Sequence, residues 1–224
     1  MLQERRRGRR LNPNDEAGVL VSGWKRSIDK KFITWKLLIY NLFMPLDSLD
    51  DAGHLYFITA TVIDWPPLFQ DEEYAWILLN SFSYFRKRKK LFLFAFVIMP
   101  SHFHAILKPT DYSIGKFLQS YGSFTAHVII RNLIKQQRND VLRIFHEKRR
   151  DPRSNYSVWQ EFHSENIFSN KFLEQKMEYI HQNPINAKIE GLADRADYIF
   201  SSARFYDRDE QSIIEIDDVR RYNE

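Results

Sequence analysis

The feature that most constrains this fold is a run of nine apolar residues, Leu91–Met99 (LFLFAFVIM). A continuous apolar run of this length is typical of a strand that is buried on both faces, so we expect a central strand of a sheet. Pro100 and Ser101 then predict a turn, and the alternating pattern of His102–Lys108 predicts another strand, which Pro109 ends.

The segments around this pair predict an α+β fold. In chain order the predicted elements are strand Leu55–Ile63, helix Asp71–Lys89, strands Leu91–Met99 and His102–Lys108, a helix capped by Ser113, a weak strand Tyr156–Gln160 and helix Phe172–Gln182. The sequence Asn183-Pro184 should stop the last helix, and Gln136–Ser154 is predicted to be a polar connection. Short right-handed connections favour a ferredoxin-like antiparallel sheet with helices packed on one face.

The 224 residues suit one main domain. We assign residues 1–50 to an N-terminal extension of unknown role, residues 51–206 to the domain, and residues 207–224 to an acidic C-terminal tail. The absence of cysteine excludes disulfides, a catalytic thiol and cysteine-bound zinc, and it suits a cytoplasmic protein. The longest apolar stretch near the start, Phe32–Met44, is too short to cross a membrane.

The charge is small in total but unevenly distributed. The net charge is +4, yet the basic residues cluster near the start, at Arg86–Lys90 and at Arg143–Arg153, whereas acidic residues gather after Asp207. Separated charge of this kind suits a polyanion bound on one side, although solvated surfaces would explain the clusters equally well.

Two histidines and one tyrosine are candidates for chemistry. His102 and His104 point to the same face of their predicted strand and could converge on one metal ion, although surface alternation gives the same pattern. Tyr179 lies off the apolar stripe of the last helix, with Gln175 and Asn183 one turn before and after it. It is either a boundary tyrosine with its hydroxyl in water or a nucleophilic phenol beside an amide ligand.

Two sequence strings resemble those of the REP-associated tyrosine transposases, which belong to the single-tyrosine HUH-type transposase superfamily. They are FVIMPSHFHAI at Phe96–Ile106 and YIHQNPINA at Tyr179–Ala187. Shorter matches occur at Tyr56–Thr59, Trp159-Gln160 and Tyr198–Arg204. The resemblance runs from about His54 to Tyr206, which is about two-thirds of the chain.

This resemblance implies an endonuclease and strand transferase that cuts single-stranded DNA near a hairpin and forms a 5′-phosphotyrosine link. It implies that Tyr179 is the nucleophile and that His102 and His104 hold a divalent ion, Mg²⁺ or Mn²⁺. It also implies a third ligand one turn after the tyrosine, which here is Asn183. The superfamily often has glutamine there, so Gln175 and Gln182 are further candidates.

The expected partner is a single-stranded DNA with a palindromic hairpin, bound by a monomer or homodimer without a membrane. The basic residues expected to contact phosphates are Arg86, Lys87, Arg88, Lys89, Lys90, Lys116, Arg131, Arg149 and Arg150. Tyr121 and Trp159 are candidates for stacking on unpaired bases, although core packing is the commoner role of such aromatic residues.

Three other functions stay open at this point. The chain could bind DNA hairpins without cutting them, or it could be a metal-dependent hydrolase in which water is the nucleophile. It could also be an RNA-binding module of ferredoxin-like fold, but Leu91–Met99 lacks the glycine that is typical of such modules.

Overall fold

The computed structural model describes residues 54–88, 90–110 and 113–222. The expected extension, residues 1–50, lies outside these ranges, as does Lys89. The elements are β1 (Leu55–Val62), α1 (Glu72–Lys87), β2 (Leu91–Met99), β3 (His102–Pro109), α2 (Ile114–Lys135), α3 (Asn139–Glu147), β4 (Trp159–Ile167), α4 (Asn170–Asn186) and α5 (Ala203–Arg208). Short 3₁₀ helices span Leu68–Gln70, Arg195–Asp197 and Val219–Arg221.

The four strands form one antiparallel sheet in the order β2–β3–β1–β4. Strands β1 and β2 lie on either side of β3 and are joined through α1, which is the ferredoxin-like arrangement that the sequence predicted. The predicted α+β fold class is therefore confirmed. None of the helices in the described ranges is both long and apolar enough to cross a membrane.

Helices cover both faces of the sheet, whereas the sequence led us to expect them on one face. Helices α1, α2 and α3 pack on the face that contains Ile58 and Phe103. Helix α4 packs on the opposite face, where Leu173 and Ile180 belong to the same buried cluster as Phe57. The reason is that β1 and β2 are apolar on both faces, so each face needs a covering layer.

Strand β2 forms as predicted but at the edge of the sheet, so the prediction of a central strand is wrong. It is nevertheless buried on both faces, and a later part of the chain covers its free edge. Val97 forms an isolated antiparallel bridge with Ser201, and Asp217 N donates to Leu93 O at 2.7 Å. This cover allows an edge strand to have the composition of a central one.

Residues 207–222 are part of the folded domain, which corrects the prediction of an acidic tail over residues 207–224. Ile214 and Val219 are buried. Asp217 accepts two hydrogen bonds of 2.9 Å from the Arg86 guanidinium and one of 2.8 Å from Leu93 N. The acidic residues here therefore serve structural ion pairs.

Three local predictions were wrong. Helix α3 lies within the segment predicted as a polar connection, and it buries Val141, Leu142 and Phe145. Strand β4 begins three residues after the predicted start of the weak strand and continues to Ile167. Helix α4 continues past Pro184 to Asn186. By contrast, the Ser113 side chain accepts a hydrogen bond from Lys116 N and caps α2 as predicted.

Candidate functional site

One face of the sheet, which we call the histidine face, brings together the two histidines of β3. In the strand register His102 lies opposite Thr61, and His104 lies opposite Thr59. Because opposite residues on adjacent strands point to the same side, all four share a face with Phe57. This is the face that α4 covers, so the strand geometry brings the histidines to the helix that contains Tyr179.

His104 is buried and holds one ring nitrogen in a hydrogen bond. Only 4% of the residue is exposed, and its Nδ1 lies 2.8 Å from Thr59 Oγ1. Its Nε2 is buried and has no hydrogen-bond partner. Burial, helped by the positive charges of His102 and Lys176, lowers the pKa of His104 to about 3, so the ring is neutral near pH 7.

His102 is half-buried and lies beside His104. The two ring centroids are 5.0 Å apart at an interplanar angle of 74°. Burial lowers the pKa of His102 as well. Two neutral imidazoles side by side are suited to hold a cation, because each keeps a lone pair on nitrogen.

Tyr179 is 46% exposed and extends from α4 to the histidine face. Its ring lies edge-on to His104, with centroids 5.1 Å apart, and edge-on to Phe57 at 5.8 Å. Phe57 in turn stacks on His104 at 5.5 Å. Tyr179 is therefore in contact with the histidine pair while its ring remains partly open to solvent.

Lys176 is also at this site, although the sequence did not single it out. Its Nζ lies 4.3 Å from the centre of the Phe57 ring and 2.6 Å from Glu165 Oε2. It precedes Tyr179 by three residues on α4, so both lie on one side of the helix. That spacing was the available signal, but the prediction considered only the amides one turn from the tyrosine.

The donors present fit a divalent cation. The two imidazoles are neighbours with ring centroids 5.0 Å apart, and the buried Nε2 of His104 lacks a partner that an ion would supply. No group of three His, Cys, Asp or Glu side chains able to hold a metal occurs within the described ranges, so a third ligand of these types is not in place beside the two histidines. Asn183 is half-buried one turn after Tyr179, whereas Gln175 is exposed and Gln182 is half-buried.

The sheet also brings charged residues of β4 to the histidine face. His163 and Glu161 lie across β1 from the two histidines, opposite Thr59 and Thr61. His163 Nε2 lies 2.8 Å from Glu161 Oε1. The sequence did not single them out, because β4 was only weakly predicted and its register was unknown.

The basic residues predicted to contact phosphates do not form one surface. Leu91 pairs with Pro109 at the far end of the sheet. This end lies seven residues along β3 from His102, which is a distance of about 23 Å. Residues 86–88 and Lys90 lead into this far end. Lys87 and Arg88 are exposed there, and Arg88 lies over the Tyr84 ring at 4.6 Å.

Arg86 does not have a free side chain. Its side chain is 11% exposed and is bound to Asp217 and Glu215, which corrects its assignment as a phosphate contact. Lys116 is exposed in the first turn of α2, shortly after the far end of β3.

Other basic residues lie toward the His102 end. Arg131 is exposed near the end of α2. Arg149 and Arg150 follow α3, where Arg150 is exposed and Arg149 donates to the carbonyl oxygen of His146. The neighbouring Lys148 pairs with Asp64 just after β1.

The two aromatic residues proposed to stack on bases belong to the core instead. Tyr121 is fully buried, and its hydroxyl donates to Leu78 O. Trp159 packs against Phe103 and donates its indole N–H to Thr125 Oγ1 at 3.1 Å. The Tyr121 ring is therefore closed to a nucleobase, whereas Trp159 is half-buried and packs against the core.

Of three comparisons with known proteins, only the comparison with solved structures finds similar chains. No model of a protein family matches the chain, and no curated protein matches it. Among solved structures, the chain is similar to a REP-associated tyrosine transposase bound to a REP hairpin, with a TM-score of 0.52 and 16% identity over 79% of this chain and 93% of that one. It is also similar to a candidate transposase from Deinococcus radiodurans, with a TM-score of 0.39 and 15% identity over 63% of this chain and 97% of that one. The first similarity shows that the two chains share a fold.

Proposed function

We propose that this protein is a metal-dependent endonuclease and strand transferase, a transposase, that cuts single-stranded DNA near hairpins with Tyr179 as the nucleophile. The observation that carries the proposal is the contact of the Tyr179 ring with His104, whose buried Nε2 lacks a partner. The shared fold with a transposase bound to a DNA hairpin supports the same activity. We expect the reaction to take place in the cytoplasm, in a monomer or homodimer.

The chemistry assigned to Tyr179 is attack on phosphorus. Its phenolic oxygen forms a bond to the scissile phosphorus while the bond from phosphorus to the 3′ oxygen breaks. The phenol loses a proton, and the 3′ oxygen gains one to become a free hydroxyl. Because the phosphotyrosine link replaces one ester by another, the reverse attack by a hydroxyl can rejoin strands without another energy source.

His102 and His104 would hold the divalent ion, Mg²⁺ or Mn²⁺, with Asn183 as the third protein ligand. When bound, such an ion withdraws negative charge from the phosphate that is attacked. Thr59 fixes the orientation of the His104 ring. If Nδ1 carries the proton and donates it to Thr59 Oγ1, the lone pair of Nε2 is free for the ion, which is the usual arrangement of metal-binding histidines.

Lys176 adds a positive charge to the same site. Its ammonium lies over Phe57, whose ring contacts both His104 and Tyr179. A cation so close to the nucleophile would favour the approach of a phosphate. In the free protein Glu165 holds this ammonium, and we expect a DNA phosphate to compete for it.

The decisive experiment is the trapping of a covalent adduct. The protein is incubated with single-stranded hairpin oligonucleotides from the flanks of its own gene, with Mn²⁺ or Mg²⁺, and the products are separated on a denaturing gel. We expect a protein–DNA species that EDTA prevents. Mass spectrometry should locate the nucleotide on the peptide that contains Met177–Ile180.

The Tyr179→Phe variant removes only one oxygen, and its ring contacts should persist. It should bind the hairpin but form no adduct and no nick. Tyr84→Phe is a matched control, because Tyr84 is 45% exposed on α1, which packs on the other face. Cleavage by the unmodified protein without an adduct would indicate a water nucleophile. Binding without cleavage would indicate a hairpin-binding protein. An adduct on another residue would refute the assignment of Tyr179.

A further inference from the structure

The turn after β1 holds an unusual backbone beside the histidine pair. Asp64 and Trp65 have φ values of 62° and 59°, which is the left-handed region. Residues other than glycine rarely adopt this conformation, and bulky residues such as tryptophan adopt it least often. Trp65 N donates to Val62 O at 3.1 Å, and Pro66 and Pro67 follow, so the turn is fixed on both sides. Strain of this kind persists where the surrounding structure enforces it, and it is common at binding sites.

The Trp65 side chain is not part of the core. The residue is 56% exposed, and its ring lies edge-on to His102 with the centroids 5.8 Å apart. A large, partly exposed aromatic ring thus lies beside His102, one of the two proposed metal ligands. Burial of the residue in the core is not the reason for the strained turn, because more than half of the residue is exposed.

Positive charge lies next to the same turn. Lys148, the first residue after α3, pairs with Asp64 at 3.3 Å between Nζ and Oδ1 and so reaches the residue before Trp65. Arg150 is exposed two positions later. An exposed aromatic face beside cations is the arrangement with which proteins hold unpaired nucleotides, because the ring stacks on a base while the cations contact phosphates.

We propose that Trp65 forms a base-stacking subsite for an unpaired nucleobase of the DNA strand that is cut, adjacent to the scissile phosphate. This inference rests on the proposed function, since it takes the histidine pair as the place where the phosphate binds. Stacking discriminates little between bases, so the subsite selects for an unpaired strand rather than for a sequence.

The test measures binding in the Tyr179→Phe background, in which no cleavage should interfere. The probes are a fluorescein-labelled oligodeoxythymidylate of about 20 nucleotides and an abasic strand of the same length and charge, followed by fluorescence anisotropy. Trp65→Ala should weaken binding of the oligodeoxythymidylate about 5- to 150-fold and leave binding of the abasic strand unchanged. Trp65→Phe should retain most of the affinity, because a smaller aromatic ring remains.

Phe168→Ala is the matched control. Phe168 is 80% exposed, but its ring stacks on Phe172, away from the histidine pair, so its removal should not distinguish the two probes. An equal loss for both probes with Trp65→Ala would mean that the residue only maintains the turn, and this outcome overturns the proposal. So would unchanged affinity for both probes, or no binding of the oligodeoxythymidylate to the parent protein.

The adduct experiment separates this inference from the proposed function. If the adduct forms on Tyr179 and Trp65→Ala has no effect on binding, only the stacking subsite is refuted. If no adduct forms while Trp65→Ala selectively weakens binding of the strand with bases, the subsite stands and the cleavage mechanism fails.

Discussion

His181 should make the stability of this protein fall in mild acid. It lies on α4 with 3% of the residue exposed, and its side chain contacts Ser202 and Tyr206. Its Nε2 lies 2.9 Å from Ser202 Oγ, which accepts a hydrogen bond from Phe96 N. Burial, with a smaller effect of the nearby Arg195 charge, lowers the pKa of His181 from 6.5 to about 4.

The size and sign of the effect follow from linkage. Because the folded-state pKa is lowered, the unfolded chain binds more protons between about pH 6.5 and 4, and the free energy of unfolding falls as the pH falls through this range. At about 1.36 kcal/mol per pKa unit, His181 should contribute a loss of about 2 kcal/mol between about pH 7.5 and pH 5. His104 also contributes, because its pKa is lowered as well.

The assay is urea unfolding of the wild type and of His181→Gln at these two pH values. The substitution destabilises the protein at both values, but the difference between them should shrink by about 2 kcal/mol, since the contribution of His104 remains in both proteins. His127→Gln replaces an exposed histidine of α2 and should leave the difference unchanged. If His181→Gln loses as much stability in acid as the wild type, the buried neutral histidine is not the cause.

Two further substitutions test packing and ion pairing. Arg86→Met should lower the free energy of unfolding by about 3 kcal/mol, because it leaves the Asp217 carboxylate partly buried without its partner. Lys87→Ala changes an exposed neighbour and should alter this free energy by less than about 0.5 kcal/mol. Equal effects of the two substitutions in urea unfolding would contradict the structural role of Arg86. Gly122→Ala would bring a methyl group to 2.8 Å from Phe162 Cε2. Despite the better helix propensity of alanine, we expect thermal unfolding to show a net loss of stability of about 1 kcal/mol. A gain of stability would show that the Phe162 ring moves easily.

The sequence predicted the elements whose apolar patterns are strong. Leu91–Met99 and His102–Lys108 gave strands with nearly the observed bounds, and the alternation of β3 predicted that both histidines share a face. Short right-handed connections then favoured the ferredoxin-like arrangement that the sheet adopts. What the pattern could not give was the position of β2 at the edge, because its edge is covered by residues more than one hundred positions later.

The predictions failed where tertiary contacts decide the structure. Strand β4 is largely polar, and only its end at Ile167 is fully buried, so its pairing with β1 rather than its composition defines it. Pro184 is tolerated in the last turn of α4, where little of the helix remains to be disrupted.

The candidate site was predicted in part. Tyr179 and the two histidines were singled out from the sequence, and the structure brings their rings together. Lys176 and Trp65 were missed, because their closeness to this site depends on how α4 and the turn after β1 pack.

The covered edge of β2 has a consequence for biosynthesis. When the ribosome has made the chain as far as α4, the sheet can already form, but β2 still presents an unpaired edge of nearly continuous apolar residues. Residues 200–217, which bond to that edge, are made later. Until these residues are made, the exposed edge of β2 can pair with strands of other chains. Slow translation, or truncation before Asp217, should therefore cause aggregation rather than only incomplete folding.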